Sequence, residues 1–69
     1  MNNNTTHAIL DRAIEAYVQN QRAIDVNDQE RQVTSYNIFL TNVDHFASKT
    51  GLTRNEAIDF VIDESRRVN

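Results

Sequence analysis

Apolar residues recur along the first third of the chain at the spacing of an amphipathic helix. The apolar positions recur at steps of three and four over residues 6–24, so they share one helix face. The stripe consists of Leu10, Ile14, Tyr17, Gln21 and Ile24, with Ala13 and Val18 beside it. Thr6 is expected to cap this helix, because its hydroxyl accepts a hydrogen bond from a free backbone N–H. We therefore predict a helix over residues 6–24 and a disordered tail at residues 1–5.

The segment that follows supports two interpretations. It is almost entirely polar over residues 25–32, and it forms either a linker or the exposed first turns of a second helix. Asn27 and Glu30 have the spacing of a capping box, which favours the helix. Residues 33–36, with the sequence VTSY, combine β-branched, hydroxyl and aromatic side chains that are typical of strands. The pattern does not decide whether residues 28–35 form a strand or extend a helix.

Two further helical patterns occupy the rest of the chain. The second helix is predicted from about residue 36 to residue 49, and the third follows a short break. The second stripe consists of Val33, Tyr36, Leu40, Val43 and Ala47, widened by Phe39 and Phe46. The third consists of Ala57, Ile58, Val61, Ile62, Ser65 and Val68, with Phe60 on its flank. The chain is therefore predicted to be mainly helical.

The break between these two helices carries the sharpest local signal. Gly51 is the single glycine of the chain, and glycine readily takes the left-handed conformation that ends a helix. Leu52 is then placed to fold back on the apolar face of the helix that has just ended. Thr53 and Glu56, three residues apart, form a capping box for the next helix. This turn predicts a tightly connected helix pair.

Length and composition narrow the class of protein. A chain of 69 residues forms one small domain, here residues 6–69, and it buries little apolar surface alone. It has no cysteine, which excludes disulfides and fits a reducing, cytoplasmic compartment. Association with a second copy is the remaining source of stability, so a homodimer is expected. The first six residues lack the features of a secretory signal, and no apolar run is long enough to span a membrane.

Charge and candidate chemistry argue for binding rather than catalysis. The net charge of −3 disfavours nucleic-acid or membrane binding that is driven by bulk charge. His7 and His45 lie too far apart in sequence to suggest a zinc site. Asp59 and Asp63 share a helix face, but a solvated acidic face, with Asp63 paired to an arginine at i+4, accounts for them. We predict no enzyme activity, no cofactor and no metal site.

The C-terminal half resembles a known family of regulators. Residues 43–58, with the sequence VDHFASKTGLTRNEAI, are similar to the core of the ribbon-helix-helix repressors and antitoxins of the Arc and CopG type. The resemblance covers about residues 30–68. It implies a short strand at residues 30–35 that pairs with the same strand of a second copy and enters the major groove of DNA. The fold expected from it is ribbon-helix-helix-like with an additional N-terminal helix; the alternative is an all-α three-helix bundle.

The resemblance also implies particular DNA contacts. Gln32 and Thr34 would project from the strand toward the bases, while Thr53, Arg54 and Asn55 would hold a phosphate at the start of the last helix. The sequence departs from the family pattern in the strand, where Val33 is the single apolar residue among the inward positions and the outer face has no arginine or lysine. The helix at residues 6–24 is an addition to the family fold.

Two functions follow as hypotheses. The first is a homodimeric, sequence-specific DNA-binding regulator of the repressor or antitoxin type. The second is a small helical interaction module or inhibitor that binds protein and not DNA. In either case the dimer or partner interface is expected at Val33, Tyr36, Leu40, Val43, Ile58, Val61 and Ile62. A second partner face is expected on the first helix at Leu10, Ile14 and Tyr17.

Overall fold

Three helices joined by two short turns make up the fold. A computed structural model describes the backbone of residues 2–68 and the side chains of residues 5–67. The helices are α1 (Asn2–Asp25), α2 (Gln29–Thr50) and α3 (Arg54–Val68), and residues 2–68 contain no strand. The prediction of a mainly helical chain is confirmed in its all-α, three-helix form. The prediction of a ribbon at residues 30–35 is wrong.

Residues 30–35, predicted as a strand, form the first turns of α2. The helix starts early because Asp28 has an extended backbone and its carboxylate accepts a hydrogen bond from the backbone N–H of Arg31, at 3.2 Å. The cap is therefore Asp28 and not Asn27. A strand would have placed Val33 and Ser35 together on its inward side. In the helix they are separated, because Ser35 is buried whereas Val33 is exposed.

The first helix also differs from its predicted bounds. It begins at Asn2, so Thr6 lies inside it rather than capping it, and residues 2–5 are helical where a disordered tail was expected. No glycine or proline precedes Thr6, and without such a residue the helix has no local reason to stop there. Met1 lies outside the described residues.

Small side chains make up most of the buried face of α1. The buried positions of α1 are Ile9, Ala13, Ala16 and Ala23. The predicted stripe of bulkier residues is rotated to one side: Leu10, Ile14 and Tyr17 are half-buried and pack against the core. Three alanines in line allow the backbones of the two helices to approach closely. The core on the other helices consists of Phe39, Val43, Phe46, Ala47, Ala57 and Val61.

Hydrogen bonds between polar side chains, here called the polar bridge, fix the position of α1 along α2. The Asn20 side-chain amide donates hydrogen bonds to the Gln32 carbonyl, at 3.0 Å, and to the Ser35 hydroxyl, at 3.3 Å. The Gln32 side-chain amide donates in return to the Ala23 carbonyl, at 3.3 Å. Among the described side chains, every buried nitrogen and oxygen has a partner. Such bonds hold one register, since sliding by a turn would break them.

Each turn contains one residue in the left-handed conformation. Asn27 (φ 57°) ends α1, with hydrogen bonds from its own N–H to the Ile24 carbonyl and from the Asp28 N–H to the Ala23 carbonyl. Gly51 (φ 77°) ends α2, as predicted, and its N–H donates to the Ala47 carbonyl at 2.9 Å. The third helix packs on both of the others, and the molecule measures 38 × 22 × 20 Å. None of the described helices is both long and apolar enough to span a bilayer.

Candidate protein-binding face

Hydrophobic side chains remain exposed where α1 ends and α2 begins. Ile24 is 50% exposed, Val33 62% and Tyr36 51%. These three side chains line one shallow hollow of about 390 Å³, together with the amide side chains of Asn20, Gln32 and Asn37. We call these six residues the apolar–amide face. Exposed apolar residues that cluster, rather than scatter singly, are typical of interaction sites.

The face is built on ordered groups. The Tyr36 ring stacks on Phe39, with centroids 6.3 Å apart, and Phe39 contacts the Tyr17 ring at 5.8 Å. Asn20 and Gln32 are held by the polar bridge between α1 and α2. A partner would therefore meet aromatic and amide groups that lose little conformational freedom on binding.

No charged side chain lines the hollow. On the surface toward α3, Asp44 and Arg54 neutralise each other in a two-pronged contact, with Nε–Oδ1 at 2.7 Å and Nη2–Oδ2 at 2.6 Å. These hydrogen bonds lower the pKa of Asp44 and raise the pKa of Arg54. Binding at the face would remove apolar surface from water without stripping water from an ion.

The opposite side of the α1–α2 pair has a different character. A second hollow lies there, lined by Arg12, Glu15, Ala16, Gln19, Ser35, Ile38 and Asn42. It contains charges of both signs and a single large apolar side chain, Ile38, which is 49% exposed. We call it the mixed groove. It serves as an internal comparison, because Ile38 and Ile24 are equally exposed in different surroundings.

The predicted dimer or partner residues fall into two groups. Val33 and Tyr36 belong to the apolar–amide face. Val43 and Val61 are fully buried in the core of the chain itself, so they are not available to a partner. The remaining three are partly buried: Leu40, Ile58 and Ile62. The face predicted on α1 is likewise half-covered, because Leu10, Ile14 and Tyr17 pack against the core.

The residues predicted to contact DNA do not form one surface. Gln32 lines the apolar–amide face, whereas Thr34 lies on the other side of α2, beside Gln19, Arg31 and Ile38. The two are adjacent on one side of a strand but not on a helix. Arg54 is engaged by Asp44, and Asn55 is exposed.

The start of α3, predicted to hold a phosphate, is occupied by its own side chains. The Thr53 N–H donates to the Glu56 carboxylate at 2.9 Å, and the Glu56 N–H donates to the Thr53 hydroxyl at 3.2 Å. The predicted capping box is confirmed. The backbone N–H of Thr53, followed by its hydroxyl, lowers the pKa of Glu56. A carboxylate already stands where a phosphate would bind, and it would repel one.

The side chains that could bind a metal are dispersed in the part of the chain that the structure describes. No cluster of three or more histidine and carboxylate side chains is found in that part of the chain, and His7 and His45 are exposed. Asp63 contacts Arg67 at 3.9 Å, as predicted for a solvated acidic face.

Sequence reasoning missed part of the face. Asn20 and Asn37 were not among the predicted site residues, and Ile24 was placed on the buried stripe of α1. The sequence contains a signal for this, because a line of alanines runs along α1 beside the stripe of bulkier residues to which Ile24 belongs. The small residues Ala13, Ala16 and Ala23 form the buried line of α1, and the bulkier stripe beside them is only partly covered.

Comparison with known proteins returns no match to a family model, a curated protein or a solved structure. The resemblance to ribbon-helix-helix proteins therefore rests on residues 43–58 alone.

Proposed function

We propose that this protein is a non-catalytic binding module that docks on another protein chain through its apolar–amide face. The observation that carries the proposal is the exposure of Ile24, Val33 and Tyr36 around one uncharged hollow. The amphipathic pattern of the chain supplies more apolar surface at this end than α1, α2 and α3 cover. Removal of this apolar surface from water on binding favours a complex.

The composition of the face matches what protein interfaces use. Their centres are poor in charged groups and rich in aromatic side chains, and hydrogen-bonding groups stand at the rim. Tyr36 supplies a large anchor with a polar end, and Asn37 supplies an exposed amide. An anchor of this kind often carries much of the binding energy.

The proposal is tested with a photoreactive amino acid incorporated at Val33 and, as the matched control, at Thr34. Both positions are exposed and adjacent in sequence, but they lie on different sides of α2. Irradiation in living cells is expected to give a discrete protein adduct at position 33 and much less at position 34. Equal yields at the two positions, or no protein adduct at position 33, would contradict the proposal.

A DNA-binding regulator remains the other prediction. The turn from Gly51 to Glu56 is the observation in its favour, since it is the part that resembles the regulators. The ribbon is missing from residues 2–68, and Arg54 and the start of α3 have partners within the chain. Gel-shift titration with DNA adjoining the gene tests this prediction: lower affinity of Arg54→Ala, together with changed sequence preference of Gln32→Ala, would favour it over protein binding.

A further inference from the structure

We infer that the occupant of the apolar–amide face is a second copy of this chain, bound across a two-fold axis. The inference rests on the proposed function and goes further by naming the partner.

The exposed area is the first argument. The chain exposes 5085 Å², whereas a folded monomer of its mass is expected to expose about 4,450 Å². The difference of about 600 Å² approaches the roughly 800 Å² that each partner buries in a stable interface of ordinary size. Part of the exposed apolar surface of the chain lies on the apolar–amide face, where Ile24, Val33 and Tyr36 are each about half exposed or more.

The charge of the chain is the second argument. Two copies, each with a net charge of −3, repel each other at long range. A contact between copies is favoured where it brings no like charges together, and the six residues of the face are all uncharged. A foreign partner of an acidic protein is expected to carry basic groups that face acidic side chains of this chain. No acidic side chain lines this hollow.

The amide groups are the third argument. In a two-fold contact each side meets an identical copy of itself. A carboxylate or a guanidinium cannot pair with its own kind, but a side-chain amide can, because it contains both a donor and an acceptor. Asn37 is exposed at the edge of the hollow and is suited to such pairing. The apolar side chains of Ile24 and Val33 can also meet their own copies, because contact between apolar groups requires no match of charge or of donor and acceptor.

The test is the solution mass of the full chain, measured by light scattering over a dilution series. We expect twice the 8.0 kDa mass of one chain at the concentrated end. Ile24→Glu should weaken self-association by about 100-fold or more, because it buries an unpaired charge. Ile38→Glu is the matched control, with the same substitution at equal exposure (50% and 49%) in the mixed groove, and it should leave the mass unchanged.

Val33→Glu provides a second variant that should fold normally, since Val33 is 62% exposed. Its helical circular dichroism should equal that of the parent chain, while its mass falls to that of one chain. Salt gives a further check: self-association of like-charged copies should hold or tighten at high salt, because salt screens their repulsion.

A wild-type chain that stays monomeric throughout the dilution series would overturn the inference. So would a dimer that Ile24→Glu and Val33→Glu leave intact, since another face would then form it. These failures are distinguishable from failure of the proposed function. A monomer that still gives an adduct with a different protein at position 33 would refute the second copy and retain the binding face.

Discussion

The two turns of this protein have nearly the same construction but differ in how plainly the sequence announces them. At each turn one residue with a positive φ ends a helix, and an oxygen-bearing side chain caps the next helix. The turn between α2 and α3 uses Gly51 and the Thr53–Glu56 capping box. The turn between α1 and α2 uses Asn27 and Asp28. Two turns of similar backbone geometry can therefore differ in how readily they are predicted from the sequence.

The cause lies in the residues at each turn. Glycine adopts the left-handed conformation without a steric penalty, and the single glycine of the chain stands out. Asparagine is the next best residue for that conformation, but Asn27 lies within a polar run in which several residues are equally suited to turns. The fold of residues 25–36 is decided instead by contacts between helices.

The largest effect is expected where those contacts are removed. Asn20→Ala deletes the amide that bridges α1 to Gln32 and Ser35 and should lower the free energy of unfolding by about 2 kcal/mol. The measurement is urea denaturation followed by circular dichroism. Asn42→Ala is a suitable control, because its amide bonds within α2 only, to the Ile38 carbonyl. Equal losses for the two variants would show that the bridge has no special role.

The next largest effect is expected at Gly51, the left-handed residue that ends α2. Gly51→Ala should lower the free energy of unfolding by about 1–2 kcal/mol, because an L side chain is disfavoured there. A Cβ at Gly51 would meet no atom within 4 Å, so the loss is conformational and not steric. Gly51→Asn should recover part of it. Denaturation curves for the parent and both variants test this, and an unchanged midpoint for Gly51→Ala would contradict the geometry of the turn.

The capping box should contribute less, and its contribution should depend on pH. Thr53→Ala is expected to lower the free energy of unfolding by about 1 kcal/mol. The pKa of Glu56 is lower in the folded state, so the carboxylate stabilises the fold at pH values above its ordinary pKa. That stabilisation is lost as the pH falls through the lowered pKa.

Glu56→Gln should therefore be less stable than the parent at neutral pH and close to it in acid. Thermal unfolding of both chains across this range provides the measurement. A difference that stays constant with pH would mean that the charge of Glu56 does not act through the cap.

The smallest effect is expected from a substitution at Asn27 that favours the backbone conformation of the turn between α1 and α2. Asn27→Gly should raise the free energy of unfolding by a few tenths of a kcal/mol, since glycine occupies positive φ more readily than asparagine. Asn27→Ala should lower it. If both substitutions destabilised the protein, the Asn27 side chain would have a role beyond its backbone conformation.

The sequence predicted the helices and the second turn well, for reasons that are local. Residues 50–56 carry their own caps, and Val43, Ala57 and Val61 of the predicted apolar stripes are buried. It left the choice between strand and helix open at the start of α2, because Ser35 and Asn20 are adjacent only in the folded chain.

The candidate site was predicted in part. Val33 and Tyr36 were expected at an interface, and the structure leaves both exposed. The contribution of α1 was misplaced, because bulky residues were weighted above alanines and Ile24 was assigned to the core stripe. Which residues of an amphipathic stripe remain uncovered depends on how closely the helices approach, and that distance is set by small side chains.

The two tyrosines of the chain provide the most direct test of the binding face. Tyr36 belongs to the face, whereas Tyr17 is half-buried against the core. The chain labelled with 3-fluorotyrosine should give two ¹⁹F resonances, to be assigned with Tyr17→Phe. Between dilute buffer and either concentrated protein or a lysate of the source cells, we predict a shift of the Tyr36 resonance and a constant position for Tyr17. A Tyr36 resonance that keeps its position under all these conditions would contradict a protein-binding role for the face.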